Sequence, residues 1–308
     1  MKDSESRVEH LADRLRTGGQ IRASRDHPRN SLTTAALLSE GRQRLAPAVE
    51  QPQLDAQLLL AHVLESDRTR VQSHPDEERT ERERDAYRAL IERRARGEPL
   101  AYLIGHKEFW SLELEVRPGV LVPRPETELL VERALALRPD PSGTVADLGT
   151  GSGAIALALA RERPRWRIAA TDLSEEALGV ARRNVRELAV TNVELLAGDW
   201  FAPLAGRRFD LVLSNPPYVA GDDPVLRSPP LNFEPPLALT PGGDGLEHLR
   251  SIIRAAPDHL ERGAWLLLEH GATQAPQVAQ ELRVRGFGHI RAHRDLAGHE
   301  RMTEGHWS

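Results

Sequence analysis

A chain of 308 residues with 40% hydrophobic content is long enough for roughly two domains, each with a proper core. Aromatic residues reach only 4%, so that core must be built mainly from Leu, Val, Ile and Ala. The net charge of −5 argues against a broad basic nucleic-acid grip, and the lack of cysteine excludes disulfides, thiolate zinc sites, iron–sulfur clusters and a cysteine nucleophile.

The first ten residues, MKDSESRVEH, are charged and lack the apolar stretch of a signal peptide. No uninterrupted apolar run approaches the roughly 18–20 residues that span a bilayer, so the expectation is a cytoplasmic protein with no membrane partner. Residues 1–30 are polar, of mixed charge, and contain Gly18-Gly19. They are expected to form a flexible N-terminal extension. Arginine supplies almost all the positive charge, Lys2 and Lys107 being the only lysines. Its even spread reads as compositional bias.

From Ser31 the pattern becomes helical. SLTTAALLSEGRQRLA offers Ser31 as an N-cap before apolar residues, and 54–65 places Leu58, Ala61 and Leu64 at helical spacing. Segment 76–96 is highly charged, with Tyr87, Leu90 and Ile91 as sparse anchors, the pattern of a helix with a solvated face. A small all-helical domain over 31–97 follows. Next, 108–116 alternates as one strand and 120–122 as a second, with Pro118-Gly119 as the turn. This predicts a β-hairpin hinge over 98–124.

From residue 125 to the end, strands and helices alternate. Strands are predicted at 144–149, 167–172, 193–199, 209–215, 264–270 and 289–295. The helix opening at Ser174 carries Glu175 and Glu176 in its first turn, where the helix dipole favours acids. Leu178, Ala181, Val185 and Leu188 share one of its faces. Alternating βα units imply an α/β domain: a parallel sheet covered on both faces.

Ligands of such sheets bind beyond the carboxyl ends of the strands. The first strand ends in Gly149-Thr150-Gly151-Ser152-Gly153, whose glycines let backbone approach a ligand closely. The spacing differs from the dinucleotide fingerprint but suits a nucleoside-type ligand. The second ends in Asp172, an acceptor for both ribose hydroxyls, although a helix-capping role is also open to it. The third ends in Asp199-Trp200-Phe201. Trp200 can stack on an adenine and Asp199 can take its amino group, or the aromatic pair can simply pack beneath the loop.

The fourth strand ends in Asn215-Pro216-Pro217-Tyr218. Two prolines cannot continue a ladder, since neither has an N–H to donate. This order of strand ends resembles the Rossmann-like class of S-adenosylmethionine-dependent methyltransferases. Asn-Pro-Pro-Tyr resembles those acting on a planar nitrogen, either adenine in DNA or glutamine in protein. Such a nitrogen is a poor nucleophile, because its lone pair is delocalised. The Asn215 side-chain oxygen and the Pro216 carbonyl can each accept one of its N–H bonds and favour the charge that grows there. Tyr218 can stack on the planar group.

Further segments narrow the resemblance. GEPLAYLIGHKEFWSLELEVRPGVLVPRPETELLV (97–131), DLGTGSGAIALALA (147–160), SNPPYV (214–219), NFEPPLALTPGGDGL (232–246), LLLEHGATQ (266–274) and DLAGHERMTEGHW (295–307) resemble the release factor glutamine methyltransferases, the HemK/PrmC family. The likeness covers about 31–308. It implies that Gly149, Thr150, Gly151, Ser152, Gly153, Asp172, Trp200 and Asn215 contact S-adenosylmethionine. It implies that Asn215, Pro216, Pro217 and Tyr218 contact the glutamine of the Gly-Gly-Gln loop of a release factor, with Asn215, Pro216 and Tyr218 the catalytic set. No metal is implied. The helical domain and hinge would help to grip the release factor, and a monomer with no direct nucleic-acid partner is expected. Family members usually carry tyrosine where this chain has Phe233. That removes any hydroxyl hydrogen bond and leaves a packing role. Glu234 and residues 124–128 can either line the cleft or hold the hinge by salt bridges. The competing readings are a DNA adenine methyltransferase, a docking protein without turnover, and a nicotinamide-dependent oxidoreductase. The charge and the small helical domain oppose the first, the intact motifs the second, and the glycine spacing the third.

Overall fold

The computed structural model describes residues 33–308. The expected extension over 1–30 and the proposed Ser31 cap lie outside them. Helix α1 (Thr34–Leu45) is instead capped by Thr33, whose side chain accepts the Ala36 N–H at 3.3 Å. It packs with α2 (Pro52–Val63), α3 (Arg68–Ser73), α4 (Glu81–Ala95) and α5 (Leu100–Ile104) around Leu37, Leu59, Leu60, Tyr87 and Ile91. The charged face of α4 holds exposed pairs such as Arg44–Glu92 and Arg88–Glu40, each worth little in water. Its first turn is better secured. The Thr80 side chain accepts from Glu83 N at 3.2 Å, while the Glu83 carboxylate accepts the Thr80 N–H at 2.7 Å. Thr80→Ala should therefore cost about 1 kcal/mol, read as a lower denaturant midpoint.

The hairpin lies one turn earlier than its pattern suggests. Strands β1 (His106–Phe109) and β2 (Leu112–Glu115) pair antiparallel across Trp110 and Ser111, both left-handed at φ 51° and 59°. The stretch expected to be one strand, 108–116, thus holds the end of β1, the bend and all of β2. Carboxylates hold the bend: Glu128 accepts the Trp110 N–H at 3.0 Å and Glu108 the Ser111 N–H at 2.6 Å. Residues 120–122 form no strand. Val120 packs on Ala177 and Val180 instead, and its carbonyl accepts the Tyr102 hydroxyl at 2.6 Å.

Seven strands form the main sheet: β3 (Ser142–Leu148), β4 (Arg165–Asp172), β5 (Val193–Ala197), β6 (Phe209–Ser214), β7 (Leu260–Glu269), β8 (Gly288–Arg294) and β9 (Glu300–Trp307). Their spatial order is β5-β4-β3-β6-β7-β9-β8, with β3 to β7 parallel and β9 antiparallel to both neighbours. Helices α6 (Glu128–Leu137), α7 (Ala154–Glu162) and α8 (Glu175–Glu187) cover one face, meeting Val145, Leu211 and Leu213. The alternate residues Ala146, Leu148 and Val212 meet α10 (Glu247–Ala255) and α11 (Ala275–Arg285) on the other, beyond the short α9 (Pro236–Leu239).

Strand β9 was not signalled by its residues, ERMTEGHW. Its buried polar groups are paired across the sheet and from a helix: His270 Nε2 lies 2.8 Å from Thr303 Oγ1, and Arg133 reaches Glu304 at 3.1 and 3.2 Å.

Candidate active site

The connection reverses direction between β3 and β6, and at such a switch point the loops leaving adjacent strands diverge and open a crevice. Leu148 is in register with Ser214, so the loop beginning at Gly149 and the one beginning at Asn215 leave the sheet side by side.

The Gly149 loop is fixed by backbone and carboxylates. Gly149 and Thr150 both donate N–H to Thr171 O at 2.9 Å. Gly149 has φ 72°, and a Cβ there would stand 3.1 Å from Trp200 Cζ3, so a side chain would be strained in backbone and tight against the ring. Gly151 is left-handed too, and a Cβ built on it would meet nothing within 4 Å, so it faces open space. Asp147 accepts from Thr150 Oγ1 at 2.6 Å and Ala156 N at 3.2 Å. Full burial pushes it up to about 7. Asp172 accepts Gly151 N–H on one oxygen and Ser174 N–H on the other, each at 2.8 Å, and burial raises its pKa. Ser174 caps α8 by accepting from Ala177 N, which frees Asp172 from that duty.

A cavity of about 270 Å³ opens here. It brings together Gly149, Thr150, Gly151, Ser152, Asp172, Asn215 and Pro217 from among the residues expected at the site. The others stand back from it. Gly153 is the left-handed cap of α7, beneath Leu157. The Trp200 ring lies against Gly149 with its centroid 5.2 Å from that of His248. Pro216 is buried, and no N–H among the described residues donates to its carbonyl. Tyr218 packs against the cluster around Leu246 and Leu268, and its hydroxyl donates to Glu269 Oε1 at 3.1 Å. The Asn215 side chain donates its Nδ2 to Thr127 Oγ1 at 3.1 Å, which turns its Oδ1 away from that contact.

Several lining residues were not anticipated. Val120, Leu121, Ile155 and Ala177 supply an apolar wall, and Leu237 and Ala238 come from α9. The ambiguous Glu234 is buried at 3% exposure. It accepts the Val122 N–H at 3.1 Å and forms an ion pair with Arg124, so it clasps the segment that lines the cavity. Phe233, expected to keep a packing role, is 37% exposed. Glu234→Gln weakens both contacts. Denaturation should show a loss of about 1–3 kcal/mol, with weaker cofactor binding by calorimetry.

These residues fit S-adenosylmethionine. The apolar wall accommodates an adenine, the Asp172 carboxylate can accept ribose hydroxyls, and the open space at Gly151 leaves room for a ligand against the backbone. Among the described residues no acid–histidine cluster could hold a metal, and no helix is long and apolar enough to cross a membrane.

The fold and the site define a class I S-adenosylmethionine-dependent methyltransferase. Residues 36–105 match the family model described as the PrmC N-terminal domain, and 125–228 match the methyltransferase small domain. A release factor glutamine methyltransferase of Pseudomonas aeruginosa is 46% identical over 90% of this chain and 100% of its own length. One from Xylella fastidiosa is 46% identical over 85% of this chain and 96% of that one. Among solved structures, a methyltransferase from Pyrococcus furiosus shares the fold at a TM-score of 0.50 and 20% identity, covering 71% of this chain and 96% of that one. The chain belongs to the release factor glutamine methyltransferase family.

Proposed function

We propose that this enzyme methylates the side-chain amide nitrogen, N5, of the glutamine in the Gly-Gly-Gln loop of peptide-chain release factors. Placement of Asn215 carries the reading. It stands beside the glycine loop, its amide nitrogen is engaged by Thr127, and its oxygen is left to accept from a substrate. Bound S-adenosylmethionine supplies an electrophilic methyl group, the carbon–sulfur bond breaking as the nitrogen–carbon bond forms.

The chain's own task is to present the glutamine nitrogen. Asn215 Oδ1 and the Pro216 carbonyl each accept one N–H, which holds the face of the NH₂ group toward the methyl and favours the positive charge it acquires. The two prolines keep that carbonyl in place at little entropic cost. Alignment then carries much of the rate, and the proton leaves after transfer. Exposed Leu173 and Leu237 offer an apolar rim for the loop that bears the glutamine, and the helical unit over 31–97 grips the rest of the factor. The enzyme works in the cytoplasm as a monomer, on protein without direct nucleic-acid contact, in keeping with its charge of −5. Family membership does not favour the DNA adenine reading.

Mass spectrometry of a release factor incubated with enzyme and cofactor should place one added methyl on the loop glutamine. Methyl on any other residue would contradict the assignment.

A further inference from the structure

Three polar side chains stand behind Asn215, from three separate parts of the chain. Thr127 precedes α6 and is 4% exposed, Tyr218 follows the double proline, and Glu269 ends β7 at 1% exposure. Asn215 Nδ2 donates to Thr127 Oγ1, and the Tyr218 hydroxyl donates to Glu269 Oε1. Glu269 Oε2 is buried with no hydrogen-bond partner among the described residues, and the Thr127 and Tyr218 hydroxyls both favour the ionised carboxylate against the effect of burial.

A threonine hydroxyl has one proton. With its oxygen accepting from Asn215, that proton is free to point at Glu269. An ionised carboxylate only accepts, so it draws the Thr127 proton toward itself and leaves a lone pair facing Asn215. A protonated Glu269 can donate instead. The Thr127 proton then swings to Asn215, which must turn its oxygen inward and its NH₂ toward the substrate. Two NH₂ groups would then oppose each other at the reacting nitrogen.

We propose that Thr127 and Glu269 are positioning residues that set which end of the Asn215 amide faces the substrate, with ionised Glu269 selecting the productive one. The inference rests on the functional reading above. It makes the reaction sensitive to the charge of a residue that touches neither substrate nor methyl donor. The groups facing Glu269 are Thr127, Tyr218, Glu126 and Arg301, with Arg124 acting on Tyr218. His270, just past the end of β7, is held below its ordinary value by burial and turns to Thr303. Burial pushes Glu269 up to about 7, within the working range of an enzyme.

The test combines a pH profile with a titration that needs no turnover. In the wild type, kcat should rise with pH through a limb near 7 and level off above it, while KM for the release factor changes little. Carbon NMR of the Glu269 carboxyl in the enzyme should follow the same midpoint. Glu269→Gln should abolish the limb, and Thr127→Val should lower kcat about 10²-fold with cofactor affinity retained. Thr127→Ser should restore it. An active wild type whose limb survives in Glu269→Gln overturns the inference alone, as does a Thr127→Val enzyme with wild-type kcat or a Glu269 carboxyl that titrates as an ordinary glutamate. A folded wild type that labels no release factor at any pH overturns the proposed function, and this inference with it.

Discussion

Asn215→Ala is expected to lower kcat about 10²–10³-fold, the usual cost of removing one preorganised group that stabilises developing charge. The fold should survive. Asn215 follows the last residue of β6 and makes one side-chain hydrogen bond, to Thr127, so truncation costs about 1 kcal/mol of stability. Its Oδ1 is an acceptor with a direction, set by the amide nitrogen behind it. Alanine leaves the glutamine NH₂ with only the Pro216 carbonyl, and the nitrogen is free to rotate out of line. Circular dichroism should match the wild type and the melt should fall by only about 2–4 °C, while methyl transfer nearly vanishes. Near-normal turnover would remove Asn215 from the mechanism.

Asp172→Ala is expected to weaken S-adenosylmethionine binding by about 1–3 kcal/mol, or roughly 5- to 150-fold in Kd. Each Asp172 oxygen already accepts one backbone N–H, from Gly151 or from Ser174, and each keeps a further lone pair for a ribose hydroxyl. The alanine therefore removes a ligand contact and a brace of the glycine loop together. Burial raises the Asp172 pKa, so affinity should fall as pH drops through that raised value, at higher pH than for an ordinary aspartate. Protonation takes away an acceptor just where the ligand needs one. Calorimetry across the acid range reads both effects, and unchanged affinity in the variant would show that Asp172 is misassigned as a cofactor-binding residue.

Local pattern revealed most of the sheet because β3, β4, β6 and β7 are apolar and end at glycine, acid or proline. It failed where tertiary contacts override composition. Strand β9 hides Thr303 and Glu304 in the interior, where His270 and Arg133 come from elsewhere to pair with them. The bend at Trp110 is likewise held by Glu128, beyond the hairpin. At the site, the glycine loop, Asp172 and Asn215 were legible because each ends or directly follows a strand. For Glu234 and residues 124–128 the sequence left lining the cleft and holding the hinge both open, because the deciding partners are remote: Thr127 meets Asn215 across 88 residues and Glu234 meets Val122 across 112. Tyr218 shows the limit of a motif. The four letters fix its place in the chain, but the structure decides that its hydroxyl goes to Glu269.

Methyl transfer from isotopically labelled S-adenosylmethionine separates a release-factor glutamine from every other acceptor. The purified enzyme would be offered a release factor, the same factor with its loop glutamine replaced, and duplex DNA. Label on the intact factor alone is the predicted result. Label on DNA, or equal label on the factor lacking its glutamine, would contradict the account.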